Sequence, residues 1–140
     1  MTLLLTLHAA ATLAMTGLIW FVQLVHYPLF THAAAGDFKG FASEHQQRTT
    51  WVVAPLMLTE AATATAIVAG DAASWWAWTG MVLLVIIWLS TALVQVPLHS
   101  LLATGFDSQA AKRLVLSNWV RTLAWTARAG IALHLLALAG

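Results

Sequence analysis

The stretch "WWAWTGMVLLVIIWLSTALVQVPL", Trp75–Leu98, contains no charged residue and is long enough to cross the hydrocarbon core of a bilayer. A membrane-spanning helix needs about 20 mostly apolar residues. Three other stretches meet this requirement: Leu3–Phe30, Trp51–Ala69 and Leu114–Leu138. We therefore predict an all-α integral membrane protein, a four-helix up-down bundle. It forms one four-span transmembrane domain over residues 1–140, with helices at about 3–30, 38–69, 75–102 and 109–139.

The composition of the whole chain agrees with a membrane protein. The chain is 61% hydrophobic and only 8% charged, whereas a soluble domain carries about 25% charged residues. The absence of cysteine excludes disulfides, thiolate metal ligands and cysteine nucleophiles. A net charge of +1 without a basic tail argues against a nucleic-acid partner. The predicted partner is the lipid bilayer itself.

The positions of the cations predict the orientation in the membrane. The second loop and both ends of the chain carry no lysine or arginine. Because cytoplasmic loops are enriched in these residues, we expect the first and third loops to face the cytoplasm and both termini to face outward. All six cations lie in or near those two loops or in the last helix: Lys39, Arg48, Lys112, Arg113, Arg121 and Arg128.

Polar residues recur where the apolar stretches meet the predicted cytoplasmic face. Helices 1 and 3 end in "VQLVHYPLF" (Val22–Phe30) and "VQVPLHSLL" (Val94–Leu102). Helices 2 and 4 begin with "EHQQRTTW" (44–51) and "SNWVRTLAW" (117–125), which also resemble each other. The two halves of the chain are thus a candidate two-helix internal repeat.

These segments predict one polar pocket at the cytoplasmic end of the four helices. Each helix contributes two polar residues spaced three or four apart, which places them on one face of that helix. Polar groups in hydrocarbon are costly unless they face the interior of the protein. The predicted layer consists of Gln23, His26, His45, Arg48, Gln95, His99, Asn118 and Arg121.

A second polar feature lies deeper. Glu60 and Arg128 are each several helical turns from the predicted cytoplasmic face, close to the middle of the bilayer. We expect them to pair, either as a structural ion pair or as part of a proton relay or substrate-anion site. His8 shares a helix face with His26, so it either partners Glu60 or an outer-leaflet ligand, or points outward at the interface. His134 is predicted to face away from the pocket.

Three histidines in one layer favour metal or acid–base chemistry. Neutral imidazoles on facing helices are ordinary ligands of haem iron, copper, zinc or non-haem iron. Without a metal, the same pocket would suit a lipid that bears a carboxylate or phosphate. The alternative is a hydrogen-bonded cluster that only holds the helices together.

The candidate catalytic residues are His26, His45, His99 and Glu60, and the first three are also the candidate metal ligands. The candidate cofactor-binding residues are Gln23, Arg48, Gln95, Asn118, Arg121 and Arg128.

Several motifs resemble known families. The segments "HYPLF" (26–30), "VPLH" (96–99) and "NWVRTLAWTAR" (118–128) resemble a family of uncharacterised bacterial four-helix inner-membrane proteins. The chain is also similar to the four-helix protoporphyrinogen oxidases. Helix 1 shares the dipeptides Leu7–His8, Tyr27–Pro28 and Leu29–Phe30, followed by His32, and a histidine late in helix 3 matches His99. This resemblance implies haem b, and the resemblance to the inner-membrane family implies the bacterial inner membrane. The last helix is similar to the anthrone-oxygenase-like membrane proteins.

Three functions follow as hypotheses. The first is a membrane-embedded oxidoreductase that binds haem b or a transition metal in the polar pocket. The second is a non-catalytic accessory subunit of a respiratory or photosynthetic complex, for which the many tryptophans and short loops are typical. The third is a small transporter or lipid-binding protein that uses the Glu60–Arg128 pair. Each is compatible with a homo-oligomer or a larger membrane complex.

Overall fold

The computed structural model describes residues 1–30, 38–71 and 73–139, and these residues form four helices and no strand. Helix α1 comprises Thr2–Phe21, Val22–His26 and Tyr27–Phe30; α2 is Phe38–Gly70; α3 comprises Trp75–Ser90, Thr91–Gln95 and Val96–Leu102; and α4 is Ser108–Leu138. The predicted all-helical architecture is confirmed. Three of the helices, α1, α2 and α3, are long and apolar enough to span a membrane.

Helices α1 and α3 each contain one π-helical turn, just ahead of a proline. The turns are Val22–His26 before Pro28 and Thr91–Gln95 before Pro97. Proline lacks an amide hydrogen, and its ring clashes with the carbonyl one turn earlier. A wider turn with hydrogen bonds five residues apart accommodates both effects. The turns therefore rotate the side chains that follow them relative to a regular 3.6-residue helix.

Helix α4 packs against both α1 and α3, whereas α2 packs mainly against α1. A central apolar layer receives side chains from all four helices: Met15, Ile19, Met57, Ile87, Ala124 and Trp125. Trp125 is completely buried in this layer. A second apolar cluster lies at the end where α2 and α4 begin, and a third lies at the opposite end. The central layer thus divides the interior into two halves, each of which holds one group of polar side chains.

The contact between α1 and α4 also contains polar side chains. Thr16 donates hydrogen bonds to its own helix at Thr12 and across to the carbonyl of Trp125, at 2.8 and 3.1 Å. The indole of Trp20 donates to the hydroxyl of Thr126 at 3.0 Å. Hydrogen bonds between neighbouring helices help to hold the helices together. The interface of α1 and α4 is therefore fixed in register as well as packed.

Candidate functional site

A cavity of about 330 Å³ lies between α1, α2 and α3, on the side of the central layer where α2 and α4 begin. Most of its wall is apolar, and its polar groups gather toward one end. The α1 and α2 walls are formed by Leu18, Ile19, Val22, Tyr27, His45, Gln46, Thr49, Thr50, Val53, Ala54, Met57 and Leu58. The α3 and α4 walls are formed by Trp88, Thr91, Gln95, Val96, His99 and Arg121. This combination of an apolar chamber with a polar end is typical of a ligand pocket.

Tyr27 is at the centre of the polar end. Its hydroxyl lies 2.9 Å from His99 Nε2 and donates to Gln95 Oε1 at 3.3 Å. The amide nitrogen of Gln95 in turn donates to Ser117 at 2.9 Å. Tyr27 is the only tyrosine of the chain, and it stands between the π-helical turn of α1 and Pro28. The search for polar residues spaced three or four apart did not identify Tyr27. The signal that could have found it is a single phenol directly before a proline.

The three predicted histidines come together at this end. The rings of His26 and His45 stack with centroids 4.1 Å apart, and those of His45 and His99 are 5.9 Å apart. Stacked rings direct their nitrogens sideways rather than toward a common point. Within the described parts of the chain, no three histidine or carboxylate side chains are arranged to hold a metal ion. Metal ligation by His26, His45 and His99 would require their rings to turn, and it stays a prediction.

Among the described residues that line the cavity, only Arg121 is charged. Its side chain donates to Asn118 Oδ1 at 3.2 Å and lies next to the Tyr27 hydroxyl. Asn118 in turn donates to Gln23 Oε1 at 2.9 Å. Asn118 and Gln23, both predicted to lie in the pocket, thus position the guanidinium through a chain of hydrogen bonds. Arg121 is 7% exposed, and no described carboxylate lies within 4.0 Å of it. Its Nε has no acceptor among the described side chains and backbone.

The structure places Arg48 outside the cavity. Its side chain is 79% exposed and donates to Glu44 Oε1 from two nitrogens, at 2.9 and 2.5 Å. The two residues are four apart on α2, and such pairs form readily on an exposed helix face. Arg48 therefore does not join the polar layer that the sequence predicts, although His45, only three residues away, does.

The predicted pairing of Glu60 with Arg128 is confirmed. Arg128 Nη2 donates to Glu60 Oε1, and Arg128 Nη1 donates to the carbonyl of Gly80 on α3. Glu60 is fully buried and Arg128 is 2% exposed. The face of the Trp125 indole covers the guanidinium, 5.9 Å from the ring centroid. This pair lies beyond the central layer and does not line the cavity, so the predicted site residues form two separate sites.

His8 belongs to the second site. Its Nε2 lies 4.0 Å from Glu60 Oε1, and its Nδ1 lies 2.9 Å from the hydroxyl of Thr63. Thr12 also reaches Glu60 Oε1, at 3.3 Å. His8 is 4% exposed, so it partners Glu60 rather than pointing outward. His134 is exposed and packs edge-on against Trp76, and it does not line the cavity.

Comparison of the chain with protein-family models, curated proteins and solved structures finds no match. The resemblances in its motifs therefore stay predictions. His32, which contributes to the resemblance of helix 1 to the haem-binding oxidases, lies outside the described residues.

Proposed function

We propose that the protein crosses the bacterial inner membrane four times as an up-down bundle, with both termini on the outer side. Helices α1, α2 and α3 support three of these spans, and α4 would be the fourth because it packs against both α1 and α3. The contacts His8–Thr63 and Thr12–Glu60 run in opposite directions along α1 and α2, as expected for adjacent antiparallel spans. Many large apolar side chains on the outer surface are exposed, which suits contact with lipid. The most exposed of them include Leu3, Trp51, Trp75, Leu93 and Leu116.

Within that membrane domain, we propose that the cavity binds an amphiphile whose anionic head group contacts Arg121. The observation that carries this proposal is a buried guanidinium without a carboxylate partner among the described residues. A buried charge without a partner is costly, and an opposite charge offsets that cost. Arg128 has such a partner within the protein, whereas for Arg121 the ligand would supply it.

The remaining groups at the polar end suit the rest of such a head group. Tyr27, His45 and His99 offer hydroxyl and imidazole groups on the same side of the cavity. Arginine binds carboxylates and phosphates through two parallel hydrogen bonds, and its Nε can supply one of them. The cavity volume lies near the lower limit of about 300–1,000 Å³ for ligand pockets, so the head group must be compact. A fatty-acid-like carboxylate or a single-chain phosphate meets these conditions.

A carboxylic acid and its methyl ester, which share the hydrocarbon chain but differ in the charge of the head group, test this proposal. In nanodiscs of phosphatidylcholine, a radiolabelled long-chain carboxylic acid is expected to bind saturably. Its methyl ester, with the same chain, should bind about 10-fold more weakly or worse, because it lacks the charge-assisted hydrogen bond to Arg121. Equal binding of acid and ester would contradict the anionic head group.

A second candidate function is the oxidoreductase that binds haem b or a His-ligated metal. The observation that favours it is the meeting of three histidine rings from three helices, two of which, His45 and His99, line the cavity. Haem is itself an amphiphile with two carboxylates, so Arg121 would suit one of its propionates. When bound, haem or a metal would supply electron-transfer chemistry, while His26, His45 and His99 would be the available ligands.

An absorption spectrum of the detergent-purified protein, before and after dithionite, with elemental analysis of the same sample, distinguishes the two candidates. The oxidoreductase hypothesis expects a Soret band or a stoichiometric metal, and loss of either in His26→Ala and His99→Ala with the helical circular dichroism retained. Glu44→Ala, at the exposed face of α2, is the matched control. A colourless, metal-free protein purified gently from membranes would rule this candidate out.

A further inference from the structure

A lateral gap between α2 and α3 opens the cavity to the side of the molecule. We infer that a chain-bearing, membrane-dissolved carboxylate or phosphate enters and leaves the cavity through this gap, directly from the lipid layer. This inference rests on the proposed function, since it concerns the route and the chain of the same ligand. The occupant of the gap is a hydrocarbon chain whose anionic end reaches Arg121.

The gap is bordered by residues that line the cavity and are also accessible from outside. We call this set the portal: Thr50, Ala54, Leu58, Trp88 and Val96. Leu58 is 60% exposed, Val96 47% and Trp88 38%, and Ala54 is half-buried. A side chain that is exposed and yet lines a cavity marks the place where the cavity opens. In a membrane, this opening faces lipid rather than water.

The chemistry of the portal suits a hydrocarbon chain. None of its residues is charged, and its one hydroxyl, on Thr50, donates to the carbonyl of Gln46 at 2.8 Å. Thr50, Ala54 and Leu58 are spaced four apart, so they form a continuous stripe along α2. At about 1.5 Å per residue the stripe is about 12 Å long. A chain lying along this stripe would cover no side-chain polar group that lacks a partner, because the Thr50 hydroxyl is already bonded within α2.

The packing of the helices explains why the gap lies here. Helix α2 packs mainly on α1, and α3 packs mainly on α4, so α2 and α3 share the sparsest contact among neighbouring helices. Helix α3 is the least buried of the three apolar helices. The π-helical turn of α3 lies beside the gap, because Thr91 and Gln95 also line the cavity. The opening therefore follows from the fold rather than from one missing side chain.

The end of the bundle offers a poorer route. Beyond the polar groups, an apolar cluster closes the space between the start of α2, the end of α3 and the start of α4. It includes Phe38 at 4% exposure and Leu102 and Leu114 at 1% or less. Phe38 also packs edge-on against Phe106, with ring centroids 5.1 Å apart. Among the described residues, the side of the molecule is thus the more open approach to Arg121.

A portal variant and its matched control test the route. Ala54→Trp places a large ring in the portal, whereas Val52→Trp adds the same ring to an exposed position of α2 that does not line the cavity. The probe is a long-chain fatty acid with a diazirine at mid-chain, added to each protein in phosphatidylcholine nanodiscs. We expect Ala54→Trp to lose the rapid, saturable photolabelling that Val52→Trp and the parent protein show. We also expect the labelled peptides of the parent protein to include portal residues.

Chemical modification of a cysteine in the portal provides a second test that does not depend on the folding of Ala54→Trp. The chain has no cysteine, so Leu58→Cys provides a unique thiol at the portal and Val52→Cys provides one outside it. A bulky maleimide on Cys at 58, but not at 52, is expected to abolish labelling when added before the probe. Arg121→Gln is tested in parallel as a measure of the head-group contact.

The outcomes separate the two proposals. If Arg121→Gln abolishes labelling but neither portal block affects it, the anionic site stands and lateral entry is overturned. Labelling confined to Tyr27, His45 and their neighbours at the polar end would overturn lateral entry in the same way. If labelling is unsaturable, or is unchanged in Arg121→Gln, the proposed function fails and the route fails with it.

Discussion

Replacing Arg128 by methionine is expected to destabilise the protein by about 3–5 kcal/mol, because it leaves Glu60 as an uncompensated buried charge. Glu60 is fully buried, and its second oxygen, Oε2, has no donor among the described residues. His8 and Thr12 reach only Oε1, at 4.0 and 3.3 Å. The remaining neighbours therefore cannot replace the guanidinium. Equilibrium unfolding in detergent micelles, followed by circular dichroism, measures the loss of free energy.

The double variant Glu60→Leu with Arg128→Met distinguishes charge pairing from packing. Removing both partners of a buried ion pair is often nearly neutral, so the double variant should recover most of the stability. Lys112→Met, on the exposed part of the same helix, is a control that removes a cation without a buried partner. If the double variant is as unstable as Arg128→Met, the hydrogen bond to Gly80 matters more than the charge. Retention of ligand binding in a stable double variant would show that the cavity works without this ion pair.

Replacing Arg121 by methionine should have the opposite effect on the unliganded protein. Because no described carboxylate pairs with this guanidinium, its removal leaves no buried anion behind. We expect the stability of the unliganded protein to stay the same or rise. The affinity for the long-chain carboxylic acid should fall by at least about 30-fold, which corresponds to about 2 kcal/mol. Thermal unfolding with and without the acid measures both quantities on one sample.

The variant Arg121→Lys tests whether the charge alone is enough for binding of the acid. Lysine keeps the charge but loses the planar fork of donors, so binding should weaken less than in Arg121→Met. Should Arg121→Met instead destabilise the unliganded protein as strongly as Arg128→Met, a protein group neutralises Arg121. The anionic-ligand proposal would then lose its basis. Arg121 and Arg128 lie seven residues apart on α4, so the stability change in Arg128→Met serves as the reference for that in Arg121→Met.

Much of the fold was predictable, since apolar runs of the right length define helices without reference to packing. Helical spacing also placed Gln23 and Gln95 inside, and they are 3% and 2% exposed. Depth along the helices predicted that Glu60 would meet Arg128. These predictions succeeded because each needs only the approximate depth and face of a side chain along its helix.

The rest of the site depends on departures from regularity. A 3.6-residue period cannot describe a π-helical turn, and such a turn precedes Tyr27, so the phenol at the centre of the polar end was missed. Arg48 has a local partner in Glu44, which spacing relative to His45 did not take into account. The division into two sites depends on Met57 and Trp125, whose side chains fill the middle of the bundle. Only packing between helices shows that division.

The pairing of Glu60 with Arg128 also has a consequence for biosynthesis. The two residues are 68 apart in the chain, so at about 5–20 residues per second the ribosome adds Arg128 roughly 3–14 s after Glu60. In a membrane, the nascent α1–α2 hairpin must hold the carboxyl group during that delay. His8 and Thr12, already synthesised on α1, are the neighbours available to it. We therefore expect His8 and Thr12 to be the first partners of Glu60 during synthesis, and Arg128 to replace them when the last helix packs.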